Sequence, residues 1–242
     1  MMDFLIGSAL SALATGVGAI PALLFSRVTH KFRDVLLAFT AGVMVSASAF
    51  ELIPEALAYS NLQIVTLGIL LGVLLLTLLE QNIPHIDLSH KNTSIEVDQK
   101  SMLIIAAISL HNLPEGLSVG VSYASGVEGL GPLIAFAIGL QNMPEGFLVA
   151  LFLIQQNIKK RYAFLIALFT GILEFIAAII GYALTAYVSF LVPIGLAFAA
   201  GSMLYIVYKE LIPESHGDGH ALSSTYAFIF GLLGMLWLTQ IF

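Results

Sequence analysis

The sequence predicts an all-α, polytopic membrane protein of eight transmembrane helices, arranged as an inverted-repeat (3+2+3) helical bundle. Three observations carry that prediction. Apolar residues make up 59% of the 242 residues and charged residues only 10%, with a mean hydropathy of +0.97, whereas a soluble domain carries about a quarter charged residues. All nine Lys and Arg fall on one side of an eight-span arrangement, the side that the positive-inside rule makes cytoplasmic. Two pairs of short motifs recur in spans that run in opposite directions.

Taken in order, the first span covers 3–26. It opens on Asp3 without a basic flank and runs apolar past Phe25, too long for a cleaved signal peptide, so it is read as a retained helix. The second, 34–58, follows Arg27, Lys31 and Arg33 and contains Glu-Leu-Ile-Pro-Glu-Ala at 51–56. The third is 61–80, followed by a polar cytoplasmic loop, 81–100, with Lys91 and Lys100. Spans four and five, 101–124 and 129–156, hold His-Asn-Leu-Pro-Glu-Gly at 111–116 and Gln-Asn-Met-Pro-Glu-Gly at 141–146. Lys159, Lys160 and Arg161 precede span six, 161–188, which carries Glu174 in an otherwise apolar run. Span seven, 192–213, ends near Lys209 and Glu-Leu-Ile-Pro-Glu-Ser at 210–215, and span eight is 222–242. Each is close to the ~20 apolar residues that cross a bilayer, the longer ones by tilting. Both termini are then extracytoplasmic in a multi-pass protein of the plasma (cell inner) membrane.

Spans two and seven share the Glu-Leu-Ile-Pro-Glu motif and are antiparallel, as are spans four and five. Repeats in opposed orientation mark transporters whose substrate sits near the midplane. The chain is thus one transmembrane domain, 1–242, with a first repeat at 1–80, a central helix pair at 101–156 and an inverted second repeat at 161–242. With no cysteine in the chain, disulfides and thiolate metal sites are excluded. The net charge of −6 gives no sign of nucleic-acid binding, because most acidic groups lie in or beside the spans.

The central motifs place costly groups at membrane depth, roughly 2.5–3.5 kcal/mol for each ionisable residue on insertion scales. His111 and Glu115 share a helix face, with Asn112 one position round, and Gln141, Asn142 and Glu145 repeat the pattern. Pro114 and Pro144 free the carbonyls of Leu110 and Leu140. Gly116 and Gly146 are expected to let the two motif helices approach each other. Glu115, Glu145 and Glu174 have no Lys or Arg in the central parts of their spans, so protons or divalent cations must balance their charge. One imidazole with carboxylates and carboxamides suits zinc and neighbouring divalent metals. Glu51 and Glu55 near one mouth, and Glu210 and Glu214 near the other, are vestibule candidates for concentrating cations, or else hydrated helix-end carboxylates. His85, Asp87 and His90 in the long loop, and His216, Asp218 and His220 after span seven, are candidates for transient metal contacts on a solvated polar surface.

The chain resembles the ZIP (Zrt/Irt-like) family of divalent metal transporters, prokaryotic type, over essentially its whole length. The span-four motif His-Asn-x-Pro-Glu-Gly, the eight spans, the long inner loop and the Glu of span six carry that resemblance. It implies a binuclear metal site between spans two, four, five and six. His111, Glu115, Gln141 and Glu145 match one metal position, Asn112, Asn142, Glu145 and Glu174 the second, and Ser48 stands where a hydroxyl completes the first. Gln141 departs from the commoner His, and Asn142 from the carboxylate of some members. The resemblance implies transport of Zn2+ (or iron, manganese, cobalt, cadmium) into the cytoplasm, no organic cofactor, no enzymatic activity and a homodimer in the lipid bilayer. The alternatives are a membrane metal sensor that binds without transport, and an intramembrane metalloenzyme, for which no His-Glu-x-x-His or separate general base is present.

Overall fold

The computed structural model describes residues 1–25, 28–81 and 97–242, with the side chains of the last stretch described from residue 110. Within these residues the chain is helical and contains eight long helical segments. They are α1 Met2–Leu24, α2 His30–Tyr59, α3 Leu62–Gln81, α4 Val97–Ala124, α5 Leu130–Gln155, α6 Lys160–Tyr187, α7 Leu191–His216 and α8 Ala221–Leu238. Seven of them are long and apolar enough to cross a membrane among the described residues, and α4 has the length to do so at 28 residues. The protein is therefore a multi-pass membrane protein. His85, Asp87, His90, Arg27 and Lys91 lie outside the described residues.

Local chemistry sets several of the boundaries. Thr29 caps α2, its hydroxyl accepting the Phe32 N–H at 3.2 Å, and Asn61 caps α3 through the Ile64 N–H at 3.1 Å. Asn157 ends the α5–α6 turn in the left-handed region at φ 66°, a conformation asparagine tolerates. α4 starts earlier than the expected 101 because no Gly or Pro interrupts 97–113. α8 stops at Leu238, before the expected 242, as Gln240 and Ile241 donate backwards to Trp237 and Leu238 in a tightened last turn.

The shared Glu-Leu-Ile-Pro-Glu motifs have a common backbone consequence. Immediately before Pro54 and Pro213 both helices widen into π-helical turns, Ala47–Leu52 in α2 and Val207–Leu211 in α7. In each, the N–H just ahead of the proline reaches five residues back: Ile53 to the carbonyl of Ser48, and Ile212 to that of Val207. A proline that withdraws a donor leaves the ladder out of step, and a π turn lets the helix continue.

The helices pack as two groups. α1 lies along α5 and α6, with α4 also along α6, while α2 lies along α8 and α3 along α7. α4 meets α7, and α2 meets α5, where the groups join. Packing is inside-out relative to a soluble protein. Large apolar side chains such as Leu67, Leu70, Leu74, Ile172, Ile176 and Ile180 point outward, while Ser8, Ser11, Thr15, Ser46, Ser48 and Ser202 are buried. That distribution suits a hydrocarbon surround and small-residue helix contacts.

The motif glycines do their work differently from expectation. A Cβ on Gly116 would overlap the Glu174 carbonyl in α6, and one on Gly146 would overlap the Thr15 carbonyl in α1. Their close approaches thus join α4 to α6 and α5 to α1, not α4 to α5, because those are the pairs that lie along each other. The two contacts are equivalents under the proposed inversion, which sets Thr15 opposite Glu174.

At the basic end of the bundle, α2 is tied to the α7–α8 connection. Arg33 bonds Asp218 at 2.7 Å and lies 3.5 Å from Glu214. His30 lies 2.8 Å from Asp218, and His220 3.0 Å from the buried Asp34. The His30 hydrogen bond, and beside it the Arg33 guanidinium, hold the Asp218 carboxyl below the usual carboxylate range.

Two predictions follow from these contacts. Gly116→Val should lower the thermal midpoint of the purified protein, since overpacking of this kind costs about 1–3 kcal/mol. The depressed Asp218 pKa means that its stabilisation is complete above about pH 4, the ordinary aspartate value, and is lost as pH falls through its lower folded value. Thermal melts of wild type and Asp218→Asn should therefore differ at pH 7, by less than about 1 kcal/mol for such surface pairs, and converge in acid below that value.

Candidate metal centre

The two hexapeptides meet at the middle of the bundle. α4 and α5 run through Pro114 and Pro144 without a break in the helix and present their polar residues to one another. Gln141 Nε2 donates to Glu115 Oε1 at 2.5 Å, both residues being buried. One position on, Asn142 Nδ2 donates to Glu174 Oε2 at 2.6 Å and to the Ser11 carbonyl at 3.2 Å. Ser11 Oγ donates to the other oxygen of Glu174, Oε1, at 2.7 Å. Glu115 and Glu174 are each 1% exposed.

Glu145 is partly buried and lies within electrostatic reach of Glu115, Glu174, His111 and Glu210. His111 Nε2 stands 2.9 Å from Glu210 Oε2. The carboxylate expected at a vestibule thus reaches the edge of the central motif, brought there by the π turn of α7. Among the described residues no Lys or Arg pairs with Glu115, Glu145 or Glu174.

Several buried polar atoms here have no hydrogen-bond partner. They are Glu115 Oε2, Gln141 Oε1, Asn142 Oδ1, Glu145 Oε1, both amide atoms of Asn112, and Ser48 Oγ. Leaving one such group unsatisfied costs about 1–3 kcal/mol, and most of these are oxygen acceptors. A set of buried oxygens beside an imidazole and uncompensated carboxylates has the chemistry of a seat for a hard-to-borderline divalent cation. Among the described residues, however, no three His, Asp or Glu side chains are grouped as they would be around a metal ion. The acidic groups are instead held by protein donors, Glu115 by Gln141 and Glu174 by Ser11 and Asn142.

The remaining candidates fall into two places. Glu51 lies in electrostatic contact with Glu55 on α2. Glu214, Asp218 and His220 belong to the contacts with Arg33, His30 and Asp34 at the basic end, while His216 Nδ1 is 3.0 Å from both Ser215 Oγ and the Ile212 carbonyl. Sequence reasoning missed three groups. Ser11 was signalled by the Ser8, Ser11, Thr15 stripe at helical spacing in an apolar span. Glu80 is bonded by Lys209 and Tyr205, a pairing foreshadowed only by one acid and one base near the same ends of α3 and α7. Buried Asp34 had no signal beyond its proximity to the basic cluster.

Comparison with known proteins agrees with this architecture. The family model described as "ZIP Zinc transporter" matches residues 79–240. Zinc transporter GufA of Myxococcus xanthus is 35% identical over 95% of this chain and 94% of its own length. Zinc transporter ZIPB of Bordetella bronchiseptica is 34% identical over 96% of this chain and 79% of its own. Zinc transporter ZupT of Streptococcus mutans is 32% identical over 94% and 93%. With the matched region spanning α4 to α8 and the relatives aligning along nearly the whole chain, this protein belongs to the ZIP zinc transporter family.

Proposed function

We propose that this chain carries zinc, and divalent ions of similar chemistry such as iron, manganese, cobalt and cadmium, across the plasma membrane into the cytoplasm. The observation that carries the reading is the cluster of partnerless buried oxygens on the two hexapeptides beside carboxylates that have no basic partner. His111, Glu115, Gln141 and Glu145 form one metal position, and Asn112, Asn142, Glu145 and Glu174 the other, with Ser48 completing the first. The names of the relatives support zinc as the cargo.

Capture of an ion exchanges protein contacts for metal contacts. The Gln141–Glu115 and Asn142–Glu174 hydrogen bonds hold the carboxylates while no ion is present, and a divalent charge replaces those amide donors on the same oxygens. The ligands sit on α4, α5 and α6, within the group that includes α1, whereas Ser48 and Glu210 belong to the α2, α3, α7, α8 group. Displacement of one group along the other would exchange Ser48 for Glu210 beside the ion, alternating access between two vestibules. Protonation of the carboxylates favours release. Glu51, Glu55 and Glu214 attract cations at the mouths, and Glu210 does so from the edge of the central motif. The distribution of Lys and Arg supports a cytoplasmic basic end and extracytoplasmic termini, and the family resemblance supports a homodimer without organic cofactor or enzymatic activity.

Radiozinc flux into proteoliposomes tests the function: uptake should exceed that of empty vesicles and be reduced by competing divalent ions. A pure sensor or metalloenzyme would give none. Glu145→Ala should abolish uptake while the protein remains folded, and wild-type flux in that variant would end the assignment of the centre. Gln141→His, which replaces a neutral amide with a stronger imidazole ligand, should lower the zinc KM in the same assay.

A further inference from the structure

Ser11 brings two polar groups from α1 to the α5–α6 pair. Its hydroxyl donates to Glu174 Oε1 at 2.7 Å, and its carbonyl accepts from Asn142 Nδ2 at 3.2 Å. The residue is 2% exposed. Nearby backbone contacts hold α1 in this position: the Ala12 carbonyl lies against Gly171 of α6, and the Thr15 carbonyl against Gly146 of α5. Ser8, one turn away, instead satisfies its hydroxyl within its own helix, donating to the Phe4 carbonyl at 2.7 Å.

The two oxygens of Glu174 are therefore held by different kinds of partner. Oε2 is held by Asn142, itself a proposed ligand whose Oδ1 has no partner, so that contact is exchangeable for an ion. Oε1 is held by Ser11, whose hydroxyl is committed to it and anchored by the α1 backbone. A carboxylate oxygen that accepts a hydroxyl hydrogen bond keeps a second lone pair, but the bond weakens it as a donor and fixes the carboxylate's orientation, leaving the other oxygen as the better metal ligand. Zinc is satisfied by four ligands in tetrahedral array, while larger cations take more oxygens and accept bidentate carboxylates.

We propose that Ser11 is a specificity-determining residue, which biases Glu174 toward one-oxygen coordination and so favours a small four-coordinate ion such as zinc over larger divalent ions. The proposal rests on the assignment of Glu174 to the metal centre. Removing the hydroxyl strengthens Oε1 as a donor, favours two-oxygen coordination and shifts preference toward manganese and cadmium.

The test uses the full chain. Uptake of zinc, manganese and cadmium is measured in competition in proteoliposomes, and Co2+ bound to the purified protein reports coordination number through the intensity of its visible bands, which is high for four ligands and falls with more. Ser11→Ala should shift the zinc-to-manganese preference about three- to tenfold toward manganese, the scale of losing one ordinary hydrogen bond, and weaken the Co2+ bands. Ser11→Thr, which keeps the hydroxyl, should restore both, and Ser8→Ala should leave both unchanged. Should Ser11→Ala not fold, Ser11→Gly removes the same donor. Folded donor-less protein with wild-type preference and Co2+ spectrum would overturn the proposal. Glu174→Gln separates the two levels: an altered ion panel in that variant beside an unchanged Ser11→Ala removes only the role of Ser11, whereas a wild-type panel in Glu174→Gln removes the metal-centre assignment on which it rests.

Discussion

Carboxylates buried among apolar helices without a basic partner are the constraint on which the rest of this structure depends. Glu115 and Glu174 are almost completely buried, and the donors that hold them are amides and a hydroxyl. In low dielectric such neutral donors soften the charge without neutralising it. An arginine would have neutralised it permanently. Amide donors would leave the proposed centre responsive to a cation that arrives and leaves, as the proposed transport requires.

The helix geometry serves that constraint. Pro54 and Pro213 are accommodated by π turns, which contain Ser48 and Glu210, the latter in contact with His111 of the central motif. Gly116 and Gly146 let main chains touch, so α6 and α1 deliver Glu174 and Ser11 close to α4 and α5. The inverted repeat expected from the sequence would pair chemically unlike groups. It would set Thr15 of α1, which packs on Gly146, at the place of Glu174 of α6, which packs on Gly116, and Gln141 at that of His111.

Charge at the periphery is handled in the opposite manner. Glu80 meets Lys209 and Tyr205, and Asp218 meets Arg33 and His30. These acids have basic partners and lie toward the ends of helices, Asp218 where water competes for the same contacts and Glu80 buried. The contrast between paired acids outside and basic-free acids inside separates structural charges from those of the candidate centre more sharply than burial alone.

Much of the fold was legible from the chain because its signals are local. Apolar runs of bilayer length, the one-sided placement of Lys and Arg, and paired proline motifs each act within a single helix or across one loop. The hexapeptides declared the central residues for the same reason: helical spacing alone puts His111 beside Glu115, and Gln141 beside Glu145. What a sequence does not carry is which helices lie against which. Only tertiary packing decided that Gly116 contacts α6 and Gly146 contacts α1, that Ser11 reaches Glu174, and that Glu210 meets His111 rather than standing at the mouth. These contacts join residues far apart in the chain, and in hydrocarbon every apolar helix face is nearly equivalent. Their choice rests on close main-chain fit and on satisfying buried polar groups, both properties of the assembled bundle.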